Sequence, residues 1–210
     1  GLGDVYKRQH GSNAGFPHSP KLYVHLGCGD RRLSGWLNLD VPNYDISRPL
    51  PWENESVDAY YLEHVIDKVS SEKVCGFFFE AFRSLKPGGM LRLAFRDVLS
   101  LAGTVTPAFR RYMKNKYPDT FIPSNEVGAI LAFYRQKSLW TVDLLTEILK
   151  SAGFEVEVLD PGVSEHTHLQ SLERRSDRDE HPFDLLGTVC MEAKKPCLLY
   201  TSPSPRDKRQ

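Results

Sequence analysis

Two stretches of the chain repeat apolar residues at helical spacing. Residues 70–85 and 141–152 carry apolar side chains three or four positions apart, which places those side chains on one face of a helix. Ser70 or Ser71 is a candidate cap of the first helix, and Pro87-Gly88-Gly89 is its predicted stop. The apolar positions are Val74, Phe77, Phe78, Ala81, Phe82 and Leu85 in the first stretch, and Val142, Leu145, Ile148, Leu149 and Ala152 in the second.

Short runs of β-branched, aromatic and aliphatic residues lie before, between and after these helical stretches. Such runs are typical of strands, particularly where a glycine or a charged residue ends them. Strands that alternate with helices predict a mostly parallel sheet covered on both faces, and therefore an α/β fold. The predicted strands are Lys21–Leu26, Trp36–Leu39, Val57–Leu62, Met90–Phe95, Phe154–Leu159 and Val189–Glu192.

Length and composition narrow the class of protein. A chain of 210 residues with 40% hydrophobic residues suits one α/β domain. No apolar run approaches the about 18 residues of a membrane helix, and no signal peptide is recognisable. The cysteines lack metal-ligand spacing and the density of a secreted disulfide framework, so we expect a reducing cytoplasm. Equal numbers of acidic and basic residues argue against a strongly basic nucleic-acid binder.

The two ends of the chain share an unusual relationship. Gly1–Gln9 can be encoded by a DNA segment whose complementary strand, read one base along, encodes Cys197–Pro205. One adapter sequence, read through in opposite orientations at the ends of a metagenomic gene fragment, would explain both. We therefore expect residues 1–9 and 197–210 to be non-native.

Setting these ends aside changes the charge balance. They contain five of the 27 basic residues and two of the 27 acidic ones, so 22 and 25 remain and the net charge becomes −3. Residues 10–20 are rich in Gly, Pro and Ser and are typical of a flexible leader. The domain is then predicted to span residues 21–196.

A glycine motif follows the first predicted strand. Because Gly27 and Gly29 lack a Cβ, the backbone of Leu26–Asp30 (LGCGD) can turn sharply and approach a ligand. Asp40 ends the next strand, where its carboxylate could accept hydrogen bonds from ribose hydroxyls. The dinucleotide fingerprint has a third glycine and an acid about 20 residues on. Here Asp40 follows Gly27 by 13 positions, which disfavours a dinucleotide site.

The ordered set of motifs resembles the Rossmann-like (class I) S-adenosylmethionine-dependent methyltransferases, in particular the methyltransferase type 11-like, predicted small methyltransferase group. The resemblance implies a mostly parallel, seven-stranded sheet with an antiparallel last strand. The first crossover helix is missing or shortened to Asp30–Gly35. The matching segments are VHLGCGD (Val24–Asp30), GWLNLD (Gly35–Asp40), DISRPLPWENESVDAYYLEHV (Asp45–Val65), LKPGGMLRLAFRD (Leu85–Asp97) and LLTEILKSAGF (Leu144–Phe154).

The same resemblance implies a site for S-adenosyl-L-methionine at the carboxyl ends of the strands. Gly27, Cys28 and Gly29 would approach its methionine moiety, and Asp40 its ribose. The resemblance further implies that Asp45 and Ile46 meet the adenine edge and that Leu62 and Glu63 line the methyl-donor pocket.

Two further residues are candidates for catalysis. His64 follows the fourth strand of the family's sheet, where the acceptor should approach, and could act as a base; a histidine that caps or packs there is an equal alternative. Asp97 could orient a hydroxyl or amine acceptor, or could cap a turn. Cys28 is expected to be a small packed residue rather than a nucleophile.

Two segments outside the motifs carry further candidates, and the first of them could select the acceptor. Residues 99–140 follow the fifth strand of the family's sheet and include Phe109-Arg110-Arg111-Tyr112, which could recognise an anionic or sugar-nucleotide acceptor or form a helical surface with a packed stripe. Residues 160–184 contain His166, His168 and His181, which favour a solvated loop or lid over a metal site.

Three functions remain open. The favoured one is methyl transfer to a small-molecule or glycan-precursor acceptor. The others are a non-catalytic methyltransferase-like binding domain and, with less support, a dinucleotide-dependent oxidoreductase. A nucleic-acid substrate is disfavoured because no Asn-Pro-Pro-Tyr-like segment is present. The sequence indicates no metal and no oligomeric state.

Overall fold

The computed structural model describes residues 21–103, 106–116, 135–173 and 187–197. Six strands form one sheet in the order β2-β1-β3-β4-β6-β5. The strands are β1 (Tyr23–Leu26), β2 (Leu37–Leu39), β3 (Val57–Glu63), β4 (Leu85–Arg96), β5 (Glu155–Leu159) and β6 (Thr188–Lys194). The helices are a 3-10 helix (Ile66–Lys68) and the α-helices α1 (Ser71–Ser84), α2 (Val98–Gly103), α3 (Pro107–Lys116) and α4 (Val142–Ser151).

The sheet is parallel except for its last strand. β1 pairs in parallel with β2 and β3, β3 pairs in parallel with β4, and β6 runs antiparallel to both β4 and β5. The predicted α/β class and the antiparallel last strand are confirmed. The described residues contain six strands rather than the predicted seven. The segment after β2 forms turns and bends, and its prolines Pro42, Pro49 and Pro51 cannot donate ladder hydrogen bonds.

One face of the sheet is apolar and lies against α1 and α4. Alternate residues of the strands point to this face, among them Tyr60 and Leu62 of β3. They pack against the predicted helical stripes in a single cluster that includes Phe78 and Leu145. At the start of α4, Thr141 accepts a 3.2 Å hydrogen bond from the backbone N–H of Leu144. α1 ends at Ser84 and β4 begins at once, so Pro87-Gly88-Gly89 lies within the strand rather than at the helix stop.

The opposite face of the sheet carries many polar side chains. Residues 160–173 form turns over it, and Leu169 and Leu172 pack there in a small apolar cluster. Beneath this loop, Arg92 forms two hydrogen bonds with Glu173, at 2.7 and 2.8 Å, and one of 2.6 Å with Glu192. Among the described residues, a loop anchored by buried ion pairs covers this face.

The remaining predictions about organisation fall partly outside the described residues. Between β1 and β2 the chain forms turns and no helix, which agrees with the missing or shortened first crossover helix. The insert of residues 99–140 contributes most of α2 and all of α3, and its residues 104–105 and 117–134 lie outside. Residues 1–20, 174–186 and 198–210 also lie outside, including both predicted non-native ends except Cys197. No helix in the described part is long and apolar enough to cross a membrane.

Candidate functional site

The turn after β1 brings the backbone close to the elements around it. Gly27 and Gly29 have backbone φ values of 69° and 52°, which residues other than glycine rarely adopt. The N–H of Gly27 donates a 2.8 Å hydrogen bond to the carbonyl of Leu39 at the end of β2. A Cβ on Gly27 would collide with the side chain of Val65. Gly27 is therefore required by both backbone conformation and space.

Asp40 joins this turn to the end of β2. Its Oδ2 accepts a 2.7 Å hydrogen bond from the N–H of Gly29, and its Oδ1 accepts one of 2.8 Å from the N–H of Val41. A carboxylate offers about four acceptor positions, so each oxygen can accept a further donor such as a ribose hydroxyl. Asp40 thus clamps the glycine turn and keeps acceptor capacity, a double role that the sequence pattern did not indicate.

A cavity of about 610 Å³ opens at the carboxyl ends of β1, β2 and β3. Its volume lies within the range of about 300–1,000 Å³ that small-molecule and cofactor sites occupy. Parallel sheets bind ligands at this edge. The cavity brings together these predicted residues: Gly27, Gly29, Asp40, Asp45, Ile46, Glu63 and His64.

Asp45 and Ile46 form the wall beyond β2. Asp45 accepts a 2.8 Å hydrogen bond from the N–H of Ser47, and this hydrogen bond lowers the pKa of the Asp45 carboxyl. Ile46 is buried and belongs to the main apolar cluster. The wall therefore combines a carboxylate that is readily ionised with an apolar surface, an arrangement suited to a planar base with polar edges.

Glu63 ends β3 and forms an ion pair that the sequence did not reveal. Its Oε2 accepts a 2.6 Å hydrogen bond from Nη1 of Arg31, in the turn that follows the glycine motif. The Glu63 side chain is 5% exposed and that of Arg31 is 22% exposed, so the pair is mostly removed from water. Burial makes such a pair sensitive to the loss of either partner. Arg31 thus ties the glycine turn to β3, as Asp40 ties it to β2.

His64 lies in the cavity wall in a backbone conformation that is uncommon for residues other than glycine. Its φ is 53° and its ring is buried. Nδ1 lies 3.3 Å from an Nη of Arg96, and Nε2 lies 3.4 Å from the hydroxyl of Thr188. Both ring nitrogens therefore lie within hydrogen-bond distance of protein groups, which fits the packed alternative as well as a positioned base.

Three of the predicted site residues lie outside the cavity lining. Leu62 points to the helix-covered face because side chains alternate along β3. Cys28 is buried, its thiol donates to the carbonyl of Gly29, and burial raises the thiol pKa. Asp97 caps α2: its carboxylate accepts from the N–H groups of Ser100 and Val142, at 2.6 and 3.1 Å. The capping alternative therefore describes Asp97, whose two carboxylate oxygens are engaged by the backbone.

Comparisons with known proteins identify the fold. No family model and no curated protein matches the chain. A solved S-adenosylmethionine-dependent methyltransferase from Archaeoglobus fulgidus superposes with a TM-score of 0.50 at 12% identity, over 83% of this chain and 86% of that one. The chain has the fold of a class I S-adenosylmethionine-dependent methyltransferase.

Two further solved methyltransferases superpose with TM-scores below 0.5. A S-adenosylmethionine-dependent methyltransferase from Mesorhizobium loti has a TM-score of 0.49 at 17% identity, over 83% of this chain and 91% of that one. Phosphoethanolamine N-methyltransferase 2 from Haemonchus contortus has a TM-score of 0.47 at 14% identity. The match covers 93% of this chain but only 52% of that longer protein.

The predicted substrate-side insert and the predicted loop or lid are described in part. In the insert, Phe109 is buried in α3, whereas Arg110 and Arg111 are exposed, as in the packed-stripe alternative. His166 and His168 lie in the loop of residues 160–173, and His168 stacks on Tyr23 with ring centres 4.6 Å apart. His181 lies outside the described residues. Within the described residues, no cluster of His, Cys, Asp and Glu is arranged to hold a metal ion.

Proposed function

We propose that the chain binds S-adenosyl-L-methionine in the cavity and transfers a methyl group to a small-molecule or sugar-containing acceptor. The observation that carries this proposal is the glycine turn clamped by Asp40 at the mouth of a cofactor-sized cavity, in a methyltransferase fold. When bound, the cofactor would supply an electrophilic methyl group on its sulfonium sulfur; the acceptor atom would attack that carbon in line while the carbon–sulfur bond breaks and S-adenosylhomocysteine leaves. Much of the rate enhancement then comes from holding the two reactants in position.

The residues present fit this cofactor. The turn at Gly27 and Gly29 allows the backbone to approach a ligand, and Asp40 retains acceptor positions for ribose hydroxyls. Asp45 and Ile46 would border the adenine. Glu63, held by Arg31, would lie beside the methyl donor.

His64 is assigned to the acceptor side of the cavity. A base is needed only if the acceptor loses a proton as it attacks. To act as one, His64 would have to exchange its 3.4 Å contact with Thr188 for a contact with the acceptor. Asp97 has no part in the proposed reaction because it lies outside the cavity lining, where its carboxylate caps α2.

Calorimetry with S-adenosylhomocysteine tests the cofactor assignment. We expect the wild-type chain to bind and Asp40→Asn to bind about tenfold more weakly, since one charge-assisted acceptor is lost. Asp160→Asn is a matched control, because Asp160 is exposed and does not line the cavity. Thermal melting of each variant separates loss of binding from loss of folding. Absence of binding to the wild-type chain, or equal binding by Asp40→Asn, would contradict the proposal.

Turnover separates the proposed enzyme from the rival functions. With a labelled methyl donor and a broad panel of acceptors, we expect label to appear in at least one acceptor. Cofactor binding without transfer to any acceptor would favour the non-catalytic binding domain. Binding of a nicotinamide dinucleotide in place of S-adenosylhomocysteine would favour the oxidoreductase.

A further inference from the structure

The charged side chains that line the cavity differ in whether they have a hydrogen-bond or ion-pair partner. The carboxylates of Asp40 and Asp45 accept backbone hydrogen bonds, and Glu63 is paired with Arg31. The lining also contains Lys68, Lys73 and Lys137, all exposed. Within the described part of the chain, none of these three ammonium groups lies within ion-pair distance of a carboxylate.

The three lysines have different surroundings. The charge of Lys73 contributes to lowering the pKa of Asp45, which places Lys73 on the side proposed for adenine. Lys68 lies in the 3-10 helix that follows His64, and Lys137 lies in the segment that leads to Trp140. Lys68 and Lys137 therefore lie on the side of the cavity that the proposed cofactor contacts leave open.

Hydrogen bonds hold the segments of Lys68 and Lys137 together. The N–H groups of Lys137 and Ser138 donate to the carbonyl of Asp67, at 2.7 and 3.2 Å. The side chain of Gln136 donates to Oδ2 of Asp67 at 3.1 Å, and the hydroxyl of Ser138 donates to the carbonyl of Ile66 at 2.9 Å. Asp67 is buried and its carboxylate faces Gln136 and Arg96. The two ammonium groups thus come from elements that are fixed to each other.

We propose that Lys68 and Lys137 recognise an anionic group, a phosphate, carboxylate or sulfate, on the methyl acceptor. This proposal rests on the proposed function, because it takes the cavity to be shared by cofactor and acceptor. Two cations at one wall of a cleft raise the local concentration of anions and attract them more strongly than isolated surface charges do. The flexible, strongly hydrated ammonium groups suit a charged group on a small molecule that must also leave after reaction.

Anion binding can be measured without knowing the acceptor. We would titrate inorganic phosphate and sulfate into the wild-type chain, into Lys68→Met/Lys137→Met and into Lys150→Met, with and without saturating S-adenosylhomocysteine. Lys150 is an exposed residue of α4 outside the cavity lining, so its variant controls for the change of charge. We expect the double variant to bind about tenfold more weakly and the control to bind as the wild type does. Absence of phosphate binding, or equal binding by all three proteins, would overturn the proposal.

Turnover tests the same inference on acceptors. In matched pairs of phosphorylated and unphosphorylated alcohols and amines, we expect the phosphorylated member to be methylated with the higher kcat/KM. In the double variant the KM for that acceptor should rise while kcat changes little, because the lysines bind the acceptor without contacting the reacting atom. Preference for the uncharged members would overturn the proposal. Lysine-dependent phosphate binding without any S-adenosylhomocysteine binding would instead contradict the proposed function and leave the anion site standing.

Discussion

The two faces of the sheet are stabilised in different ways. On the face covered by α1 and α4, strand residues such as Leu91 and Leu93 join one continuous apolar cluster. On the other face, His25, Tyr61 and Arg92 are all buried, and the loop of residues 160–173 packs over them. The first face depends on area removed from water, whereas the second depends on polar pairs such as those of Arg92 with Glu173 and Glu192.

This difference has consequences for substitutions. When a buried apolar side chain is truncated, the loss of stability increases with the volume of the cavity that remains. Removing one member of a buried ion pair leaves the other charge buried without its partner, which costs more than the pair itself contributes. We therefore expect the loop-covered face to be the more sensitive to single changes and the more dependent on pH.

The largest effect is expected at Arg92. In Arg92→Met, Glu173 and Glu192 would remain buried without their cation, so the free energy of unfolding should fall by about 3–5 kcal/mol. Urea denaturation measures this loss. Arg32→Met, at an exposed arginine, is the control and should change stability by about 0.5 kcal/mol or less.

A combined variant decides whether the effect at Arg92 comes from unpaired charge. Arg92→Met/Glu173→Gln/Glu192→Gln removes both carboxylates and should recover much of the loss, since no buried anion remains. If the triple variant is less stable than the single one, packing of the arginine rather than charge holds the loop in place.

The helix-covered face should respond differently. Leu145 of α4 is fully buried, and Leu145→Ala should cost about 3 kcal/mol. The neighbouring Leu144 is 42% exposed, so Leu144→Ala should cost about 1 kcal/mol or less. Because neither change involves an ionisable group, both costs should be the same at pH 5 and pH 8 in urea denaturation. A strong pH dependence of the Leu145→Ala cost would remove the distinction between the faces.

His25 should make the loop-covered face sensitive to acid. Burial lowers the pKa of His25 from 6.5 to about 4, although its hydrogen bond with Asn38 acts in the opposite direction. The unfolded chain binds a proton below pH 6.5, whereas the folded chain keeps the ring neutral. Stability due to neutral His25 is therefore complete above pH 6.5 and is lost as the pH falls towards 4. The loss should reach about 2 kcal/mol at pH 5.

Urea denaturation at several pH values measures this loss. In His25→Gln the decline in stability between pH 7.5 and 5 should become shallower. His166→Gln, at a partly buried histidine of the loop, should keep most of the wild-type slope. Equal slopes in the wild type and His25→Gln would place the acid sensitivity elsewhere.

The two faces also differ in how far they could be predicted. Helices α1 and α4 follow from local periodicity, since each repeats its apolar residues within one element. The loop of residues 160–173 could not be predicted from local periodicity, because it is held by a contact between Glu173 and Arg92, which are 81 positions apart in the chain. Likewise, the glycine motif and Asp40 mark the site locally, whereas the pair of Arg31 with Glu63 joins residues 32 positions apart. Such partners are brought together only by the order of the strands in the sheet.

The smallest effects are expected at two neighbouring tyrosines of β3, which point to opposite faces of the sheet. Tyr60 is buried on the helix-covered face, and its hydroxyl lies 2.8 Å from that of Ser84. Tyr61 is buried on the loop-covered face, and its hydroxyl has no hydrogen-bond partner among the described residues. Tyr60→Phe should therefore cost about 1 kcal/mol, because it leaves the Ser84 hydroxyl with one partner fewer.

Tyr61→Phe should be neutral or should stabilise the fold by up to about 1 kcal/mol, since it removes a buried polar atom that receives no hydrogen bond from the described part of the chain. The two variants delete the same atom from adjacent positions, so composition and unfolded-state effects cancel between them. Urea denaturation of both proteins at pH 7.5, where His25 is neutral in the folded and the unfolded chain, gives the difference directly. If Tyr61→Phe lost as much stability as Tyr60→Phe, the hydroxyl of Tyr61 would have a hydrogen-bond partner. The polar groups of the loop-covered face would then form a larger network than the ion pairs around Arg92.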